Sequence, residues 1–249
     1  MPSAKDITVK PISAADAKRV VQAVHYSGKT VNNSQLHLGV FLNGRLEGAM
    51  QFGPSLDKRK IQGLVEGTPW NGFLELNRMA FSEALPRNSE SRALAVAFRL
   101  IRKHYPHVQW VISFADGAQC GDGTIYRASG FTLTGVKRNS TLIRLADGTI
   151  GANVTFHKGT HILKSGGAKQ PKGATKLDGY QMRYIYFIDP TARERLTVPI
   201  LPFSKIEEMG AGMYRGKSRP KQATAGVQPS SGGATPTRTL QTPEAEHAC

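Results

Sequence analysis

The feature that most constrains the fold is the run Trp110 to Phe114, which is apolar except for Ser113. A helical pattern that begins at Ser89 or Ser91 and stops before Pro106 leads into this run, and a glycine-rich loop follows it. A short strand that is apolar on both faces is typical of the interior of a sheet covered by helices. The chain is therefore expected to be an α/β protein with a central sheet.

Helix and strand signals alternate over the first 150 residues. Ser13 is placed as the N-cap of a first helix, and Asn43-Gly44 separates two strands at residues 36–41 and 47–52, as in a two-residue hairpin. Further strands are predicted at residues 7–11, 75–81 and 131–134, and a short helix at residues 124–129. A hairpin followed by crossover helices predicts an α/β (α+β) fold, with a mixed central sheet flanked by helices.

The rest of the chain divides into three parts. A basic loop at residues 157–177 precedes an aromatic and apolar strand at residues 181–188. Near residue 210 the composition turns to Gly, Pro, Ser, Thr and Ala, which cannot bury enough apolar surface to offset the entropy of ordering. We therefore predict a catalytic domain at residues 1–205 with a β-rich C-terminal extension, and a disordered basic tail at residues 206–249.

The net charge of the chain indicates the class of its binding partner. The 249 residues include 33 Lys and Arg against 18 Asp and Glu, a formal net charge of +15. Such an excess favours nucleic acid as the partner, because phosphate contacts dominate that kind of affinity, although it also serves solubility. An apolar run long enough to span a bilayer, a secretory signal and a disulfide framework are all missing from the sequence, so a cytoplasmic location and no membrane partner are expected.

Two groupings have the composition of a catalytic site. His25 and Tyr26 stand where the first helix ends, and an imidazole beside a phenol offers a base and an acid near neutral pH. Asp116 follows the apolar strand into the glycine-rich loop, at the sheet edge where open α/β sheets bind ligands. Both also have a structural interpretation, as a helix-end histidine and a turn-capping aspartate. Tyr126, on the short helix, faces either the core or a cleft.

The sequence evidence for anion and metal binding is weaker. Ser89 and Ser91 stand at a helix start, where backbone amides attract an anion, but the same residues fit ordinary helix capping. Two histidine pairs, His104 with His107 and His157 with His161, lack a carboxylate at useful spacing. The metal ligands therefore stay unknown, and iron stays open but unsupported by the sequence. The basic loop holds lysines and no acid, and is expected to bind DNA phosphates through Lys158, Lys164, Lys169, Lys172 and Lys176.

Four motifs carry a family resemblance: HYSG from His25, LELNRMAF from Leu74, PRNSESRALA from Pro86, and SFADG followed by GTIYRASGF from Ser113. The order of elements resembles the GNAT acyltransferase fold. In this order the motifs resemble, over about residues 20 to 190, the Mom proteins of Mu-like phages. The resemblance implies a transferase that converts adenine in duplex DNA to N6-carbamoylmethyladenine and so protects phage DNA from host restriction enzymes.

The resemblance also implies roles for individual residues. It places the catalytic groups at His25, Tyr26, Asp116 and Tyr126. It assigns donor binding to Arg78, Ser89, Ser91 and Ser113. A flipped-out target base is implied as well, because the adenine amine is out of reach inside a duplex.

The donor of the transferred group stays open between acetyl-CoA and an activated glycine such as a glycyl-tRNA. Acetyltransferases of the GNAT fold hold the coenzyme A pyrophosphate in a glycine-containing loop. Here Arg87 is present, but Glu90 and Arg92 stand where glycines are required for close backbone approach. Ordinary coenzyme A binding is thus disfavoured.

Two other functions fit the sequence. One is a GNAT-type N-acyltransferase acting on an amine of a protein or small molecule. The other is a DNA-binding regulator without catalysis. The expected partners are double-stranded DNA together with a tRNA or acyl-CoA donor, and self-association as a homodimer stays open.

Overall fold

The computed structural model describes residues 2–156, 170–214 and 217–218. Five α-helices lie in this part of the chain: α1 (Ala14–Val24), α2 (Lys58–Gln62), α3 (Ser89–His104), α4 (Thr124–Ala128) and α5 (Ser204–Glu208). Its first six strands are β1 (Thr8–Pro11), β2 (Leu36–Leu42), β3 (Arg45–Gly53), β4 (Phe73–Phe81), β5 (Trp110–Asp116) and β6 (Thr132–Arg138). The later strands are β7 (Leu142–Arg144), β8 (Ile150–Ala152), β9 (Thr175–Lys176), β10 (Tyr180–Phe187), β11 (Met213–Tyr214) and β12 (Lys217–Ser218).

The ends of the early elements follow the local sequence signals. Ser13 caps α1 by accepting a hydrogen bond from the backbone N–H of Asp16 at 3.0 Å. Asn43 and Gly44 join β2 to β3 with φ of 49° and 78°, the positive values that a tight hairpin turn requires. The predicted alternation of helices and strands over the first 150 residues is confirmed.

Seven strands form the central sheet in the order β1-β2-β3-β4-β5-β10-β6. Only the β4–β5 pair is parallel among these neighbours, so the predicted mixed sheet is confirmed. The predicted strand at residues 181–188 is β10, and it lies inside this sheet, paired on one side with β5 and on the other with β6. The central sheet is therefore complete only with this late strand.

Helices cover both faces of the sheet. On one face α3 buries Leu94, Phe98 and Ile101 in the main core, which also contains Val111 and Ala115 of β5. On the other face α1 packs against Ala49 and Ala80, and a second cluster forms around Trp110. Alternate residues of β5 thus enter different cores, which accounts for its apolar sequence.

Two features had no counterpart in the sequence analysis. A small sheet with the order β8-β7-β9 is inserted between β6 and β10. The fold also continues past residue 205, because Ile206 and Ala211 are buried against the main core and the Met213 N–H donates to the Asp122 carboxylate at 3.3 Å. The rest of the predicted disordered tail, from residue 219, lies outside the described residues.

In the described part of the chain, every helix is too short or too polar to cross a lipid bilayer.

Candidate active site

A cleft opens where the two parallel strands separate. β4 and β5 pair only from Phe73 to Glu75, opposite Trp110 to Ile112, and then diverge. The register of β4 against β3 slips by one residue at Asn77, a bulge that turns the end of β4 away from β5. The resulting cleft has a volume of about 850 Å³ and contains Glu75, Arg78 and Asp116 on its floor. A cavity of this size is in the range of small-ligand sites.

Tyr26 and Asp116 meet in this cleft from distant parts of the sequence. Tyr26 follows the end of α1, whereas Asp116 is the last residue of β5. The Tyr26 hydroxyl donates a hydrogen bond to Oδ2 of Asp116 at 3.2 Å. The predicted phenol and carboxylate thus form one pair.

The loop after β5 holds the Asp116 carboxylate in place. Its Oδ1 accepts a hydrogen bond from the Ala118 backbone N–H at 3.0 Å, and its Oδ2 accepts one from Nε2 of Gln119 at 2.7 Å. The predicted turn-capping role of Asp116 is therefore real and coexists with its contact to Tyr26. Gln119 was missed in the sequence analysis, and its only signal is its position three residues after the aspartate.

Arg78 ties the loop after α1 to β4. Its Nε donates to the Lys29 carbonyl at 3.0 Å, and its Nη1 donates to the Asn77 carbonyl at 2.6 Å. Lys29 in turn donates to the Ile150 carbonyl of the small sheet at 2.6 Å. These bonds connect three walls of the cleft: the loop after α1, β4 and β8.

His25 lies behind Tyr26. The two rings are 4.3 Å apart between centroids, and Nδ1 of His25 accepts a hydrogen bond from the Ser27 backbone N–H at 3.2 Å. Burial, and secondarily the charge of Arg78, lowers the pKa of His25 from 6.5 to about 4. The imidazole is therefore neutral at pH 7 and a weak base.

The environment keeps Tyr26 protonated. About half of its surface, 52%, is exposed, and its hydroxyl contacts Asp116 in the cleft. Partial burial, and then the negative charge of Asp116, raises the pKa of Tyr26 far above its usual value of 10.0. A phenol of this kind donates protons or hydrogen bonds and does not act as a base.

Ser113 and Tyr126 lie on the other face of the sheet, beside α3. Ser113 is buried, and the Tyr126 ring packs 5.1 Å from Phe131 and 5.3 Å from Tyr184 between centroids. Burial raises the pKa of Tyr126, while a hydrogen bond with Ser113 opposes the shift. Tyr126 is thus paired with a predicted donor residue and is not a lining residue of the cleft.

The two predicted donor serines at the start of α3 bond to their own turn. The Ser89 hydroxyl donates to the Pro86 carbonyl at 2.6 Å, and the Ser91 hydroxyl donates to the Asn88 carbonyl at 3.1 Å. Asn88 begins the helix in the left-handed conformation, with φ of 70°. Neither serine lines the cleft.

The predicted phosphate-binding lysines are only partly described. Lys172 and Lys176 are exposed, and Lys176 belongs to β9 of the small sheet. Lys158, Lys164 and Lys169 lie outside the described residues. Two further cations, Lys137 and Arg138, are exposed on the rim of the cleft.

Glu75 is the main residue that the sequence analysis missed. It lies on the floor of the cleft, and burial raises its pKa above the ordinary 4.5. The sequence signal for Glu75 is an acidic residue inside the largely apolar strand β4. In the structure, this position is where β4 and β5 begin to separate. A carboxyl group with a raised pKa is a candidate for proton transfer at neutral pH.

Metal binding finds no support in the described residues. Among residues 2–156, 170–214 and 217–218, no three His, Cys, Asp or Glu side chains cluster as a metal site.

Comparisons with known proteins identify the family of this chain. The model of the Mom protein family matches residues 6–205. The methylcarbamoylase Mom of Escherichia phage Mu is 39% identical over 203 residues, covering 79% of this chain and 81% of the phage protein.

Among solved structures, the spermidine/spermine N-acetyltransferase SpeG from Vibrio cholerae is similar at a TM-score of 0.44 and 8% identity, over 77% of this chain and 98% of that one. An IAA acetyltransferase from Bacillus cereus is similar at a TM-score of 0.42 and 12% identity, over 73% and 99% of the two chains. The match of the family model over most of the chain and the identity to the phage Mu protein show that this chain belongs to the Mom protein family.

Proposed function

We propose that this protein is a DNA-modifying transferase that converts adenine in duplex DNA to N6-carbamoylmethyladenine and so protects phage DNA from restriction. The observation that carries the proposal is the grouping of Tyr26, Arg78 and Asp116 in one cleft of a Mom family protein. The phage Mu relative is named a methylcarbamoylase, a name that denotes the attachment of a group containing a carbamoyl unit.

The chemistry requires a base and a proton donor at the adenine N6. This exocyclic amine is a poor nucleophile, because its lone pair is delocalised into the ring. Its proton must leave as it attacks, and the oxyanion that forms must be stabilised. We assign the base to Asp116, whose carboxylate is held by Ala118 and Gln119.

The other cleft groups stabilise charge. Tyr26 stays protonated and is placed to donate to the oxyanion or leaving group, and Arg78 supplies positive charge beside it. Glu75 is a second candidate for the base, since its raised pKa brings its proton transfer closer to neutral pH. His25, neutral and packed against the Tyr26 ring, positions that phenol.

We place the donor on the Ser113 side of the divergent strands, with Tyr126 as an alternative acid for its leaving group. Ser113 follows the segment where β4 and β5 pair, and the charges of Glu75 and Arg78 are among the causes that set the pKa of Tyr126. The Ser89 and Ser91 hydroxyls are already bonded to backbone carbonyls. A donor without a pyrophosphate bound at this turn therefore fits better than coenzyme A in its ordinary mode.

Activated glycine satisfies this condition, and a glycyl-tRNA is one form of it. Transfer of the glycyl group would form an amide on the adenine N6 and release the carrier. The free glycine amine would then attack ring carbon C6 and expel the original N6, which becomes the terminal amide nitrogen. All atoms of N6-carbamoylmethyladenine are accounted for, without an oxidant or reductant.

Isotope labelling tests this route. Cells that express the protein are grown with ¹⁵N-glycine, and the modified nucleoside is fragmented in a mass spectrometer. The label is expected on the nitrogen attached to the ring. A label in the terminal amide would exclude the glycyl rearrangement.

DNA would approach over Lys137 and Arg138 on the rim of the cleft, and the exposed Lys172 and Lys176 would add positive charge. The target adenine would leave the duplex to reach the floor, at a cost of a few kcal/mol. Double-stranded DNA is accordingly the proposed macromolecular substrate.

The deciding experiment is nucleoside analysis of DNA from cells that express the wild-type chain or the Asp116→Asn variant. The wild type is expected to yield N6-carbamoylmethyladenine, and the variant none. Unmodified DNA from the wild type would favour an acyltransferase acting on another amine. A biological effect that survives Asp116→Asn would favour a DNA-binding regulator.

A further inference from the structure

We propose that Leu56 is a wedge that enters the DNA duplex where the target adenine leaves it, and that Arg59 and Lys60 bind the adjacent phosphates. The inference rests on the proposed function, since it supplies the step that brings adenine to the cleft. It is carried by the position of one apolar side chain and by the charge beside it.

Leu56 is the most exposed large hydrophobic residue in the described part of the chain, with 98% of its surface in solvent. Isolated exposed apolar residues are common on proteins, so exposure alone has no meaning. Leu56, however, lies on the rim of the cleft whose floor holds Arg78 and Asp116. An apolar side chain at the mouth of a polar site has a partner only when a ligand covers it.

The segment that carries Leu56 is anchored at both ends. Before it, Nδ2 of Asn33 donates to the Pro54 carbonyl at 2.7 Å. After it, Nζ of Lys58 donates to Oδ1 of Asn71 at 3.0 Å and lies 4.4 Å from the centroid of the Trp70 ring. Because the segment is held on both sides, it is rigid enough to keep Leu56 in place when this side chain enters a base stack.

The charge beside Leu56 fits a nucleic acid backbone. Residues 58–60 are Lys-Arg-Lys at the start of α2, and one acid, Asp57, precedes them. Arg59 and Lys60 are exposed, as Lys137 and Arg138 are on the rim of the same cleft. In a duplex, rows of phosphates flank an apolar stack of bases. The cations beside Leu56 and on the rim of the cleft would contact the phosphates, and Leu56 would contact the bases.

The physical role of the wedge follows from the cost of base flipping. Extruding a base breaks its stacking and pairing, which costs a few kcal/mol, and leaves a gap that favours its return. Apolar side chains inserted between bases fill such gaps in other DNA-binding proteins. Leu56 in the stack would slow the return of adenine while the base occupies the cleft.

The test measures base extrusion without needing the group donor. A duplex is taken from a DNA site that becomes modified in expressing cells, with 2-aminopurine in place of the modified adenine. The full-length protein is added, and the rise in 2-aminopurine fluorescence is recorded. A second duplex carries an abasic site opposite the 2-aminopurine, so that pairing no longer opposes extrusion.

Leu56→Ala is expected to reduce the extruded fraction on the paired duplex by about tenfold, and to remain within about twofold of wild type on the abasic duplex. Leu56→Met, which keeps the length of the side chain, is expected to retain extrusion. Ile200→Ala is the matched control, since Ile200 is also exposed but does not line the cleft.

The phosphate contacts are tested separately. Arg59→Gln together with Lys60→Gln is expected to reduce the salt dependence of duplex binding. The slope of log K against log salt concentration should become shallower by about 0.9 per lost phosphate contact. An unchanged slope would remove these two residues from the interface.

The wedge would be overturned if the Leu56→Ala variant extruded 2-aminopurine from the paired duplex at the wild-type level. It would also be overturned if the variant lost extrusion equally on both duplexes. Failure of the proposed function gives a different result. In that case the wild-type protein modifies no adenine in cells and extrudes 2-aminopurine from neither duplex.

Discussion

The Tyr26 hydroxyl donates to the Asp116 carboxylate at 3.2 Å, although the two residues are 90 positions apart in the sequence. The contact joins the end of α1 to the end of β5 across the cleft. It places a proton donor directly beside a proton acceptor.

Asp116→Asn should abolish DNA modification, because an amide does not accept the adenine proton. Tyr26→Phe should lower modification by about 10²- to 10⁴-fold, the range of a lost general acid. Quantification of modified deoxyadenosine in cellular DNA measures both. Residual activity of Asp116→Asn near the wild-type level would move the base to another residue.

Arg78→Gln should raise the pKa of His25. Burial lowers that pKa to about 4, and the positive charge of Arg78 is the second cause, so removing the charge favours protonation of the imidazole. NMR titration of ¹⁵N-histidine measures the shift, with the other histidines as internal controls. An unchanged His25 pKa would show that burial alone sets it.

His25 also makes stability depend on pH. Its pKa is lowered in the fold, so the unfolded chain binds the proton more readily between pH 6.5 and about 4. The contribution of His25 to stability is therefore complete above pH 6.5 and is lost as the pH falls toward 4. Chemical denaturation at several pH values should show a shallower decline for His25→Gln than for wild type.

Glu75→Gln should lower DNA modification without lowering the stability of the fold. Because burial raises the pKa of Glu75, ionisation of this carboxyl at neutral pH opposes folding. The variant should be at least as stable as wild type at pH 7, whereas its DNA modification should fall about tenfold or more if Glu75 transfers a proton. A stable variant with full activity would exclude Glu75 from the reaction.

Gly123→Ala should destabilise the fold by about 2 kcal/mol or more, because it combines a backbone penalty with a collision. The φ of Gly123 is +85°, and a Cβ there would lie 2.5 Å from Cε2 of Tyr184. Gly44→Ala is the matched control, since φ is +78° but nothing lies within 4 Å of the added Cβ. The control should cost about 1 kcal/mol by thermal unfolding.

Local signals predicted the helices and strands up to β6, except the short helix α2. The Ser13 cap and the Asn43-Gly44 turn depend on residues adjacent in sequence, and both are present as expected. Family membership was also predicted, from four motifs, and is confirmed.

Features that depend on distant contacts were not predicted. The side chain of Tyr126 faces the α3 side because α4 packs there, and the short helical pattern did not distinguish core from cleft. The proton affinity of Glu75 depends on how deeply strand β4 is covered, and the sequence gives no measure of that. The predicted site residues thus separate into two groups, His25–Arg78 and Ser113–Tyr126, on opposite faces of one sheet.

The interior position of β10 has a consequence during translation. β5 and β6 leave the ribosome before the strand that lies between them, so each presents an unpaired edge until Phe187 has emerged. A nascent chain in this state is exposed to aggregation, and the long sequence separation of these contacts slows their formation. Synthesis of the last third of the chain therefore controls when the enzyme becomes functional.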